Sequence, residues 1–114
     1  MPKNDRVRLL HMRDAAREAV GFAAGRSRAD LDTDRMLNLS LVRLIEVIGE
    51  AAGRVSADTQ AKYPGIPWSD ITGMRHRLVH GYDEINLDIV WEVATVDLPA
   101  LMTQLEQILP NEQA

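Results

Sequence analysis

The sequence predicts an all-α fold, an up-and-down bundle of four longer helices with one short extra helix. Three observations carry that expectation. Apolar residues recur at steps of three and four along most of the chain. No run alternates apolar and polar residues as a half-buried strand would. The five prolines fall at positions 2, 64, 67, 99 and 110, which mark edges more than interiors.

The first helix is expected from about Asp5 to Ala24, with Asn4 or Asp5 accepting hydrogen bonds from its free N–H groups. Leu9, Met12, Ala16, Ala19 and Ala23 make its apolar stripe. Gly25 and the polar run to Asp32 read as a connection. The second helix should span Thr33 to Val55, with Leu37, Leu41, Leu44, Ile48, Ala51 and Val55 on one stripe. Leu39, Val42, Ile45 and Val47 widen that stripe far beyond one face, so this helix should be buried on more than one side, the second being an oligomer interface. Arg43, Glu46, Glu50 and Arg54 form the polar remainder, at spacings that allow ion pairs. Gly49 sits inside the helix, where glycine costs about 1 kcal/mol relative to alanine; close approach of another backbone would explain it.

Ser56 caps a short helix to about Tyr63, and Pro64-Gly65-Ile66-Pro67 is a turn. Ser69 can cap the next helix, expected to reach His80 before Gly81 stops it. Asn86 can cap the last, whose stripe is Leu87, Val90, Ala94, Leu98, Leu101, Leu105 and Ile108. Pro99 should kink or split it near Asp97, and Pro110 should end it. Trp68 and Trp91 could stack on bases, but aromatic residues on apolar stripes are expected in the core.

A chain of 114 residues fits one domain, taken as 1–114, with 46% hydrophobic and 26% charged residues. Without cysteine there is no disulfide, no thiolate zinc site and no Cys nucleophile. No signal peptide or membrane-spanning run is visible, so a cytoplasmic protein with no membrane partner is expected. A net charge of −4 argues against general electrostatic attraction to nucleic acid, so any RNA contact should be local.

Chemistry concentrates in Met74-Arg75-His76-Arg77-Leu78-Val79-His80-Gly81-Tyr82, at a helix end. These residues admit three readings. Cations at a helix C-terminus favour the dipole and can be merely solvated. His76 and His80, four apart, share a helix face as a metal pair would, but no third ligand stands at a suitable distance and no metal is expected. The third reading is metal-independent phosphodiester cleavage. Histidine suits the proton transfers at the ribose 2′-OH and the leaving 5′-oxygen. The arginine fork matches two phosphate oxygens. Acid and base are two roles, so a two-fold dimer sharing one cleft makes better sense of the motif than a single chain.

Arg75-x4-His80-x-Tyr82 resembles the Arg-x4-His-x-Tyr signature of HepT proteins in the HEPN superfamily. Arg43-Leu-Ile-Glu-Val-Ile-Gly49-Glu50-Ala51-Ala52 resembles that family's buried helix, and Tyr63-Pro64-Gly65-Ile66-Pro67-Trp68 the stretch before its catalytic helix. Asp88-Ile-Val-Trp91-Glu92 and Asp97-Leu98-Pro99 resemble its last helix. The blocks keep the family's order over roughly residues 5 to 109.

The resemblance implies an endoribonuclease toxin that cuts RNA as a homodimer without a cofactor, with Arg75 and His80 as the catalytic pair. It implies a cognate antitoxin, the minimal nucleotidyltransferase MntA, which transfers AMP to the motif tyrosine, here Tyr82. A higher hetero-oligomer with the antitoxin is part of that expectation. His76 stands where the family often has Asn; with Arg77 and Tyr82 it is a candidate for supporting RNA contact. The rival expectation is a non-catalytic nucleotide-binding or docking partner of the nucleotidyltransferase.

Overall fold

Small side chains set the closest packing in the molecule. In the computed structural model, which describes residues 1–79 and 84–111, helix α1 (Lys3–Ala23) buries Leu9, Met12, Ala15, Ala16, Ala19 and Ala23. The alanines let α1 lie close along α3 (Arg35–Gly53), and α1 also packs on α8 (Leu98–Ile108). The fold is all-α, and no strand occurs among the described residues.

The first helix begins earlier than expected. Pro2 is the N-cap and makes no side-chain cap bond. Asp5 turns inward instead: it is 4% exposed and accepts from the Ser56 N–H at 3.0 Å, the Ser56 hydroxyl at 2.5 Å and the Thr59 hydroxyl at 2.6 Å. Burial pushes the Asp5 carboxyl up, but the hydrogen bonds from Ser56 and Thr59, with Arg8 nearby, more than reverse this and hold it below the usual carboxylate range. Asp5 therefore fastens α1 to the start of α4 (Ala57–Lys62), which Ser56 caps as expected.

The connection after α1 contains a helical turn, α2 (Asp30–Thr33), held by buried Leu31 and by the Ser27 N–H donating to Asp30 at 2.7 Å. This turn adds to the one short extra helix that the sequence suggests, and a 3-10 turn, Leu109–Asn111, follows α8. Asp34 caps α3 by accepting from the Leu37 N–H, so α3 starts two residues later than the periodicity suggests. The expected stripe is buried at Leu37, Leu41, Ile48, Ala51 and Val55, and Ile45 joins it. Of the residues that widen the stripe, Val42 and Ile45 are buried and Val47 is half-buried, while Leu39 at 49% and Met36 at 80% exposed face outward.

The third long helix is broken. It runs as α5 (Trp68–Thr72) and α6 (Met74–Leu78), with Gly73 between. Pro67 precedes α5 and Ser69 lies inside it, so the Ser69 cap is not made. Asn86 does cap α7 (Leu87–Glu92), accepting from the Asp88 and Ile89 N–H groups at 3.1 and 3.2 Å. Between α7 and α8 the chain widens into a π-helical turn, Val93–Asp97, where the Leu98 N–H reaches back to the Val93 carbonyl. Pro99 has no N–H for the Thr95 carbonyl, and the wide turn absorbs the mismatch. The expected split near Asp97 takes this form.

Both tryptophans pack on the core, and Trp68 Nε1 donates to the Tyr63 carbonyl at 3.0 Å. No described helix is long and apolar enough to cross a membrane.

Candidate functional site

Helix α6 is anchored by its apolar residues and presents its polar ones. Met74 is 2% exposed and Leu78 is fully buried. Arg75, His76 and Arg77 between them are exposed. The anchor depends on Gly49: a Cβ there would lie 3.3 Å from the Ile71 carbonyl oxygen, so α3 and the end of α5 meet backbone to backbone. The close approach expected from Gly49 is therefore found.

The end of α6 is fixed on both sides of the segment that follows. The Val79 N–H donates to the Arg75 carbonyl at 3.0 Å, and the Asn86 N–H to the Leu78 carbonyl at 2.7 Å. Val79 and Ile85 form an antiparallel bridge. His80, Gly81 and Tyr82 lie outside the described residues, so the expected catalytic histidine and modified tyrosine have no described geometry. The helix itself ends at Leu78, before the expected stop at Gly81.

Arg75 makes no ion pair among the described residues. Arg77 lies 3.6 Å from Asp97, the last residue of the π-helical turn. Both line a groove of about 170 Å³ beside α6, together with Asp70, Met74, Leu101 and Gln104. Asp97 is a neighbour of the motif that the sequence did not single out for chemistry. Glu46 lies 3.6 Å from Arg43, as expected, but Glu50 and Arg54 make no ion pair among the described residues. Arg54 is the C-cap of α3, one residue past its last helical residue. No group of three His, Asp or Glu among the described residues is placed to hold a metal ion.

An α-helical protein that exposes, at the end of a short, firmly seated helix, a histidine and an arginine with no ion pair among the described residues is suited to grip a phosphate. The HepT-like family, described as ribonuclease HepT-like, matches residues 12–108. The chain belongs to that family, within the HEPN superfamily. A protein of Caldanaerobacter subterraneus subsp. tengcongensis named "Putative RNase" is 32% identical over 111 residues, covering 97% of this chain and 99% of that one. Another of that name from Methanocaldococcus jannaschii is 30% identical over 112 residues, covering 97% and 93%. A "Probable ribonuclease HepT" of Thermococcus cleftensis is 29% identical over 79 residues, covering 69% and 72%. No solved structure matches the chain significantly.

Proposed function

We propose that this HepT-like protein is a metal-independent endoribonuclease toxin, acting as a homodimer through Arg75 and His80. The observation that carries the proposal is Arg75, exposed on α6 and without an ion pair among the described residues, in a chain of the ribonuclease HepT-like family. Arg75 binds the scissile phosphate and offsets the charge that develops on it. One His80 takes the proton of the 2′-OH, whose oxygen attacks phosphorus, while a second His80 protonates the departing 5′-oxygen. His76 and Arg77 lie beside this site and would contact flanking phosphates.

A two-fold dimer supplies the second His80. Support comes from exposed apolar side chains: Phe22, 46% exposed, and Met36, 80% exposed, line one groove between α1 and α3, and Leu39 on α3 is 49% exposed. Such a patch on a charged surface suits a partner copy. Control by a minimal nucleotidyltransferase that adds AMP to Tyr82 belongs to the same proposal. A docking partner without catalysis would share that tyrosine but would have no use for Arg75.

The test is cleavage of total cellular RNA by purified protein in excess EDTA, with Arg75→Ala and His80→Ala in parallel. Cleavage by wild type and loss in both variants, at unchanged helical content, is the expected result. Cleavage by correctly folded His80→Ala protein overturns the proposal.

A further inference from the structure

The ends of the α1/α3 face differ in character. Near Phe22 and Met36 it is apolar; at the other end, α1 contributes Arg8 and His11, and α3 contributes Arg43, Val47, Glu50 and Arg54, to an open groove of about 340 Å³. Three guanidinium groups face one carboxylate there. Elsewhere several arginines have carboxylate partners: Arg17 meets Glu106 at 2.9 Å, Arg26 meets Asp34 at 2.7 Å and Arg28 meets Asp88 at 2.6 Å. In the groove, Arg8 and Arg54 make no ion pair among the described residues, and Arg43 has only Glu46 at 3.6 Å. The nearby carboxylate of Asp5 takes its hydrogen bonds from Ser56 and Thr59, and Arg8 acts on it only through space. A chain of net charge −4 thus gathers three arginines in one concave place, two of them without an ion pair among the described residues, with Glu50 on the lining and Glu46 beside Arg43.

We propose that this groove is a phosphate-binding site for the backbone of single-stranded RNA, separate from the Arg75 end of α6. The inference rests on the ribonuclease reading for its choice of polyanion. Its chemistry is that of the arginine fork, which binds two phosphate oxygens at once. Its position is suitable: on the wheel of α3, Gly49 faces α5, and Arg43, Val47, Glu50 and Arg54 lie about 100–160° further round. The groove and α6 therefore occupy neighbouring flanks of one helix, and a strand held at both would cross α3. The Arg75 motif would engage the scissile phosphate, and the groove would hold phosphates further along the strand, making long RNA a better substrate than short.

The test compares wild type with the triple variant Arg8→Ala/Arg43→Ala/Arg54→Ala and the matching triple lysine variant. Affinity for a 5′-labelled single-stranded RNA is followed by anisotropy across a salt series, with His80→Ala added to prevent cleavage. Each phosphate contact to a single strand contributes about 0.7 to the slope of log affinity against log salt, so loss of three should lower the slope by about 2. Affinity at low salt should fall at least tenfold in the alanine variant, while the lysine variant keeps the slope. With His80 intact, the alanine variant should show a raised KM for long RNA at unchanged kcat, and wild-type cleavage of a dinucleotide. Unchanged affinity and slope in the folded alanine variant overturn the groove and leave the ribonuclease reading standing. A lysine variant as weak as the alanine variant also overturns the groove. RNA binding without cleavage in wild type overturns the ribonuclease reading alone, and no RNA binding in wild type overturns both.

Discussion

Gly49 and Ile71 touch through the backbone: a methyl group added at Gly49 would stand 3.3 Å from the Ile71 carbonyl oxygen. That contact seats α5, and through it α6, on α3. Gly49→Ala should gain about 1 kcal/mol of helix propensity and lose it again to the tight contact. Gly49→Val should destabilise by about 1–3 kcal/mol, as overpacked sites do. At Gly53 an added Cβ would meet only the Thr72 side chain at 3.9 Å, an ordinary contact, so Gly53→Ala should not lose stability. Urea unfolding of the three variants checks this; a Gly49→Val protein as stable as wild type would remove the close-approach explanation.

Asp5 makes the fold sensitive to acid. Its carboxyl is held below the usual carboxylate range in the folded chain, so the unfolded chain binds the proton more readily. The stability it contributes is present above about pH 4 and drains away as pH falls through the lowered folded value. Asp30, bonded by the Ser27 N–H, and Asp34, paired with Arg26, are lowered too and add to the same trend. Asp5→Ala leaves the Ser56 and Thr59 donors without their acceptor and should cost about 1–3 kcal/mol at pH 7. The difference between variant and wild type should narrow on going from pH 7 to pH 3 in thermal melts, and a constant difference would contradict this account.

Periodicity in the sequence was enough to place the buried sides of α1, α3 and α8, because Leu9, Met12, Ile48, Leu98 and Leu105 each repeat the helical spacing that tertiary packing then uses. Gly49 could be read as a contact point because a mid-helix glycine needs a reason. What could not be read depends on which helix lies beside which. Asp5 looks like a cap until Ser56 and Thr59 are seen to lie against it. Asp97 gains its role only when the turn before Pro99 meets Arg77. Arg8 and Arg54, 46 positions apart, form one groove because α1 packs along α3. The Arg75–His80–Tyr82 motif was legible as a local pattern, and its exposed arginine fits that reading, but shared work between two chains is a property of an assembly.

Catalysis should divide between Arg75 and His80. Arg75→Ala should lose phosphate stabilisation and His80→Ala proton transfer, each lowering kcat/KM by about 10²–10⁴, or about 3–5 kcal/mol of barrier. Arg75→Lys should recover part of the loss, since it keeps the charge but not the fork. Initial rates on a defined RNA, with folding verified by circular dichroism, check this.

The dimer should depend on the exposed apolar end of α3. Met36→Asp with Leu39→Asp places charges where a partner copy would need apolar contact, at little cost to the free chain, since both side chains are largely exposed. The double variant should be monomeric by light scattering and inactive on RNA while keeping its helical content. A mixed dimer of Arg75→Ala and His80→Ala chains would show how the two sites share work. A wild type that is monomeric and active at micromolar concentration would end the two-histidine mechanism.

Control should act at Tyr82. The proposed step joins the tyrosine oxygen to the α-phosphorus of ATP, with loss of the phenolic proton and departure of pyrophosphate. The product carries at least one negative charge and a nucleotide close in sequence to Arg75 and Arg77. It would compete with RNA for the same guanidinium groups without unfolding the chain. Tyr82→Phe keeps the ring and removes only the nucleophile. It should fold as wild type, accept no AMP, and remain toxic in cells that also express the cognate nucleotidyltransferase, to the extent that inhibition is covalent. If the hydroxyl serves only packing, Tyr82→Phe should instead lose stability and leave antitoxin control intact. Intact-mass spectrometry after co-expression separates the two directly. AMP-sized additions on wild type that vanish in Tyr82→Phe support control at this residue, and additions that persist in the variant place the modification elsewhere.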